Sequence, residues 1–159
     1  MKTFNLLKKW PLILSIFVVS ALVASCDKDD DDIDEQKYSL SGTASGSQEV
    51  PAVATTATGT LTGTYDADNN RFDYTINWSG LSGMVTAMHI HGPALTGANA
   101  GVIHQLSITA NGAIGSSSGS LTFADSTETH LLNGRLYYNI HTALHPNGEI
   151  RSQIVASPQ

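Results

Sequence analysis

The chain has 159 residues, 41% of them hydrophobic and 14% charged, with a formal net charge of −6 and a single cysteine. That length is one domain's worth, and one cysteine excludes both an intrachain disulfide and a Cys-rich zinc module. Residues 38–159 carry seven acids against three arginines and no lysine, a balance that excludes a nucleic-acid partner.

Lys2, Lys8 and Lys9 precede an apolar run over 10–24, broken only by Pro11, Ser15 and Ser20, that ends in Val23-Ala24-Ser25-Cys26. A basic start, a short apolar stretch and small residues at its end read as a cleaved export signal over 1–25. The run is shorter than the about 20 apolar residues a spanning helix needs. Val-Ala-Ser-Cys resembles the lipobox of bacterial lipoproteins. The resemblance implies that Cys26 becomes the first mature residue and carries lipid, so that the membrane is a partner through buried acyl chains, at about 0.8 kcal/mol per methylene.

Residues 26–37 follow as an acidic tether, with seven of the chain's 14 acids between Asp27 and Glu35. Such a segment has too little apolar surface to fold and repels itself into an extended spacer. It lacks the spaced ligands and glycine of a calcium loop. Lys28-Asp29-Asp30 resembles a surface-export signal of some Gram-negative lipoproteins, which implies a lipid-anchored place in the cell envelope, at the outer membrane and exposed at the surface.

Over residues 38–159 glycine, serine and threonine make up 43 of 122 positions, which disfavours helix. Period-two segments succeed one another at 38–45, 56–65, 71–79, 85–91, 102–109, 115–123, 135–142 and 149–155, with turn residues between. The spacing predicts an all-β domain, an antiparallel Greek-key-like β-sandwich or barrel of seven or eight strands. The clearest hairpin joins the second and third segments through Asp66-Ala67-Asp68-Asn69-Asn70, whose residues suit a turn. A short helical turn is expected within 126–133. Alternation sends Phe72, Tyr74, Ile76, Trp78, Leu136, Tyr138, Ile140, Ile150 and Ile154 inward.

The same alternation sends three histidines the other way. His89 and His91 alternate with Met88 and Ile90, and His141 shares a parity with Tyr137 and Asn139 against Tyr138 and Ile140. Side chains at i and i+2 on a strand stand about 6.6 Å apart on one face. If the two strands pair, His89, His91 and His141 can offer imidazoles to copper or zinc. Otherwise they brace loops through hydrogen bonds or form a polar surface. His104, His130 and His145 stand apart on polar segments. Glu149 and Arg151 share a face, either as a surface ion pair or with Glu149 orienting an imidazole as a carboxylate acceptor. No nucleophile elbow, phosphate loop, HExxH helix or dinucleotide fingerprint is present.

Taken in order, Leu40-Ser41-Gly42, Gln48-Glu49-Val50-Pro51, Ala57-Thr58-Gly59, His89-Ile90-His91-Gly92-Pro93, Gly134, Tyr138-Asn139-Ile140-His141-Thr142 and Gly148-Glu149-Ile150-Arg151 resemble the chordin-domain (CHRD) family, over about residues 38–155. That family is named for repeats in an extracellular antagonist of bone morphogenetic proteins and occurs as single domains in bacterial exported proteins. The resemblance marks Glu49, Pro51, His89, His91, Gly92, Pro93, Asn139, His141, Thr142, Gly148, Glu149 and Arg151 as hallmark positions. The chain departs from the usual pattern at Ala52, at Ala100-Gly101 and at Ser152. A His-x-His strand is also similar, by fold analogy alone, to copper-zinc superoxide dismutase. Two readings follow: a lipid-tethered extracytoplasmic binding or adhesion module for a protein, glycan or metal, and a copper- or zinc-dependent surface metalloenzyme. The lack of a recognisable nucleophile or acid–base pair favours the module.

Overall fold

A computed structural model describes residues 36–159. The leader, Cys26 and the acidic tether before residue 36 lie outside the described residues. The described residues form nine strands: β1 (Lys37–Ser45), β2 (Thr58–Asp66), β3 (Arg71–Ser79), β4 (Val85–His91), β5 (Val102–Gln105), β6 (Gly115–Thr122), β7 (Tyr137–Thr142), β8 (Ile150–Gln153) and β9 (Val155–Pro158). A single 3-10 turn, Gly46–Gln48, follows β1, and one α-helix, α1 (Asp125–Leu132), precedes β7 and fills the segment where a short helical turn is expected. Eight of the strands overlap the period-two segments, but the segment over 102–109 is strand only as far as Gln105, the one over 149–155 is divided between β8 and β9, and β9 is one more than the sequence pattern suggests.

All pairings are antiparallel, and the order is β5-β4-β7-β8-β1-β2-β3-β6, with β9 also on β1. The choice between sandwich and barrel is answered by a single curled sheet. Its two halves meet where β8 touches β1 at one register pair, Ser45 opposite Arg151. Beyond Ile154 the chain leaves β7 as a partner and continues on β1, so that one segment stitches the halves together. At the far edges, the segment after β5 crosses to β6, and Ser107 N–H donates to the Tyr74 hydroxyl (3.1 Å) on the way.

The β2–β3 hairpin follows its sequence closely. Thr58, Thr60, Thr62 and Thr64 face water while Leu61 and Tyr65 are buried, and Asp66 Oδ1 accepts from the backbone N–H of Asp68 and Asn69 (3.1 and 3.2 Å) to hold the turn. Phe72, Tyr74, Ile76 and Trp78 are buried, as are Leu136, Tyr138, Ile140, Ile150 and Ile154, and together they fill the core enclosed by the curl. Tyr74 lies opposite Gly119 on β6. A Cβ there would stand 2.6 Å from the Tyr74 hydroxyl, so only glycine lets the ring lie flat across the neighbouring strand.

Candidate metal centre

β4 pairs with β7, placing His89 opposite Asn139, His91 opposite Tyr137 and Ala87 opposite His141. Met88, Ile90, Tyr138 and Ile140 occupy the core side, so His89, His91, Tyr137, Asn139 and His141 share the other face, as alternation requires. β8 continues the rows, with Arg151 opposite Asn139 and Gln153 opposite Tyr137.

This face is not the open polar surface that alternation alone suggests. Asn139, His141, Glu149 and Arg151 are all buried, as is Glu49, because the loops over 46–57, 92–101 and 143–149 fold across it. Every residue of β7 is buried on both faces. Two cis peptide bonds, Val50–Pro51 and Gly92–Pro93, lie in the covering loops.

Beneath that cover the three histidines meet. Their ligand nitrogens all lie within 4.8 Å of one another, and His89 Nδ1 is 2.9 Å from His141 Nε2. The loops set the ring protons. His91 Nδ1 is 3.0 Å from the Ala100 carbonyl, and His141 Nδ1 is 3.0 Å from the Pro146 carbonyl. A carbonyl only accepts, so both Nδ1 atoms carry the proton and both Nε2 atoms present a lone pair. Those lone pairs face Asn139 Oδ1, at 3.1 Å from His91 and 2.9 Å from His141, and that oxygen is itself an acceptor. Burial holds the His89 and His141 pKa values below the usual imidazole range, reinforced at His89 by His91 and opposed at His141 by its bond to Pro146. Only His89, which no carbonyl holds, is free to carry its proton on either nitrogen, so with that proton on Nε2 the three nitrogens and Asn139 Oδ1 present a set of lone pairs that could hold a divalent transition metal, which neutral imidazole nitrogens suit.

The surroundings fix this geometry. Tyr137 stacks on His91 with ring centroids 4.7 Å apart and planes 1° from parallel, and the Arg151 guanidinium carbon lies 3.4 Å from the centroid of the same Tyr137 ring. Arg151 also donates to Ala98 O (2.8 Å) and Asn99 Oδ1 (3.1 Å), fastening the loop that supplies the Ala100 carbonyl. Sequence pattern places Tyr137 beside the histidines, but backbone carbonyls carry no residue-type signal, so Ala100 and Pro146 are legible only in the fold.

Glu149 departs from both roles open to it in the sequence. It is fully buried and makes no surface ion pair. Its carboxylate accepts from Ser82 N–H (2.8 Å), Ser82 Oγ (2.6 Å), Thr142 Oγ1 (2.7 Å) and Thr55 Oγ1 (3.0 Å), none of them an imidazole. Burial opposes its ionisation, yet these bonds win and its pKa lies below the usual carboxylate value. Arg151, the other half of the expected pair, is turned to the 98–99 loop instead. Both residues sit under loops that strand alternation cannot foresee.

Glu49 is the carboxylate that reaches the histidine cluster's neighbourhood. It is buried, its Oε1 has no hydrogen-bond partner, and burial raises its pKa to about 7 against the opposing Arg151 charge and Asn139 amide. With Val50, His91, Asn99, Tyr137 and Asn139 it lines a cavity of about 360 Å³. His104 stacks on Phe123, His130 lies on α1 and His145 lies in the turn after β7, so none of these joins the cluster.

A family model described as the CHRD domain matches residues 40–154. No curated protein and no solved structure matches the chain.

Proposed function

Since the chain belongs to the CHRD family, we propose that it is an extracytoplasmic binding module that holds a divalent transition metal, copper or zinc, on His89, His91 and His141. The family supports a module of extracellular type. The metal reading rests on one observation: the Ala100 and Pro146 carbonyls hold both Nδ1 protons, leaving the His91 and His141 Nε2 lone pairs turned toward a third acceptor. Lipid on Cys26 would tether the module to the envelope, and the acidic segment behind it would keep the domain clear of the membrane.

Titration of the protein, purified without a histidine tag, with Cu(II) and Zn(II) should give saturable binding at one equivalent, lost in His91→Ala and His141→Ala. Binding unchanged in both variants would overturn the reading. The tether has its own test. Mass spectrometry of the N-terminal peptide should show acylated Cys26, and Cys26→Ser should move the protein out of the membrane fraction, whereas an unmodified thiol in membrane-free mature protein would count against it.

A further inference from the structure

We infer that Asn139 is a fourth, oxygen ligand of this metal and that Glu49 is the positioning residue that holds its amide in the ligating orientation. The inference rests on the metal reading above and extends it from three histidines to a mixed nitrogen–oxygen set.

Four potential ligand atoms form a chain: His89 Nδ1 to His141 Nε2 at 2.9 Å, His141 Nε2 to Asn139 Oδ1 at 2.9 Å, and Asn139 Oδ1 to His91 Nε2 at 3.1 Å, the last three of them acceptors and His89 Nδ1 joining them when its ring proton sits on Nε2. Ligands bound to one metal at about 2.0–2.1 Å stand roughly 2.9 Å apart when adjacent in a square and about 3.3 Å apart in a tetrahedron. Asn139 Oδ1 is therefore already spaced from two histidine nitrogens as a fellow ligand would be. It cannot be bonded to them as they stand, because neither Nε2 carries a proton once its ring partner donates to a carbonyl. A cation shared among them turns three mutually repelling lone pairs into a ligand set.

What keeps the amide oxygen pointing at the histidines is found on its other side. Asn139 Nδ2 and Glu49 Oε1 both crowd the Cα of Gly148, where any Cβ would collide with them. Nδ2 therefore lies beside the Glu49 side chain, and turning the amide over would exchange a donor for Oδ1 against the Glu49 acceptor oxygen. Glu49 is buried and its Oε1 makes no hydrogen bond, so an acceptor left open beside Nδ2 is the feature that selects one amide orientation. Gly148, at φ +119°, is what allows the two side chains to meet.

The test uses the whole chain carrying Cys26→Ser, loaded with Cu(II) for electron paramagnetic resonance and Co(II) for optical spectra. Asn139→Ala should weaken Cu(II) binding at least tenfold and shift both spectra. Asn139→Asp, which keeps the shape and a ligand oxygen, should bind at least as tightly as the parent with a carboxylate-type shift. Glu49→Ala should weaken binding by about 10–100-fold, the scale typical of residues that orient a ligand, and broaden the spectra as the amide loses its fixed orientation. Glu49→Gln should recover the parent spectra, because its carbonyl still offers Nδ2 an acceptor on that side. Parent-like spectra and affinity in Asn139→Asp would overturn the proposal even if Asn139→Ala fails to fold, and parent-like spectra in Glu49→Ala would overturn the role of Glu49. Absence of Cu(II) and Co(II) binding in the parent would instead overturn the metal reading on which both depend.

Discussion

Ser82 Oγ donates to Glu149 Oε2 at 2.6 Å across 67 residues of chain, and the Ser82 backbone N–H reaches the other oxygen of the same carboxylate at 2.8 Å. Glu149 thus ties the loop between β3 and β4 to the start of β8, with Thr142 and Thr55 completing its shell. Hydrogen bonds to a buried ionised group are among the stronger ones, and removing the acceptor strands its donors.

Glu149→Ala should lower stability by about 3–5 kcal/mol, several donors being left without an acceptor at once. Because the folded pKa lies below the ordinary value, the ionised carboxylate stabilises the fold at pH above that ordinary value. That contribution is lost as pH falls through the folded pKa. Denaturant melts at stepped pH should show this acid-side decline in the parent and a flatter profile in Glu149→Gln. Equal slopes in the two proteins would show that Glu149 does not carry it.

Tyr138 separates two effects in one side chain. Its ring is fully buried in the core, but its hydroxyl is buried without a hydrogen-bond partner. Tyr138→Ala should cost about 3–5 kcal/mol, whereas Tyr138→Phe should stabilise by about 1 kcal/mol by removing an unsatisfied polar group. Chemical denaturation of both variants reads this directly, and a Phe variant less stable than the parent would reveal a partner for the hydroxyl.

Arg151→Lys should loosen the 92–101 loop. Lysine lacks the planar fork that reaches Ala98 and Asn99 together and the flat face that lies on Tyr137. The expected loss is about 2–3 kcal/mol, with amide exchange accelerating at 98–101 before it changes in β2 and β3. Uniform acceleration across the sheet would mean that Arg151 supports the whole fold and not the loop.

Gly148→Ala should reduce both stability and metal affinity. Its φ of +119° is a backbone region that residues with a Cβ avoid, and the added methyl would strike Glu49 Oε1. Strain of this kind costs about 1–3 kcal/mol. Calorimetry should show a destabilised protein that binds Cu(II) more weakly. A variant with parent-like affinity would place Glu49 and Asn139 outside the site.

Strand identity in this chain is written locally. Each of Phe72, Tyr74, Ile76 and Trp78 is two residues from the next, and a pleated strand turns that spacing into a shared face whatever the rest of the chain does. The same rule turned His89, His91 and His141 from the core, and their clustering followed once β4 and β7 paired. The ninth strand was not legible, because Val155–Pro158 is too short and too mixed to show a period, and it exists only because β1 offers an edge beside it.

Residue spacing therefore sets parity, the side of its own strand that each residue occupies. Cover and company came from the closed fold. Glu149 and Arg151 read as surface residues because nothing in a strand of period two records that a loop far away in sequence will fold across it. Loop closure brings the Ala100 and Pro146 carbonyls to the histidine rings and Glu49 to the Asn139 amide. These contacts depend on the register between strands and on the path of three loops, long-range properties of the closed sheet that no local spacing encodes.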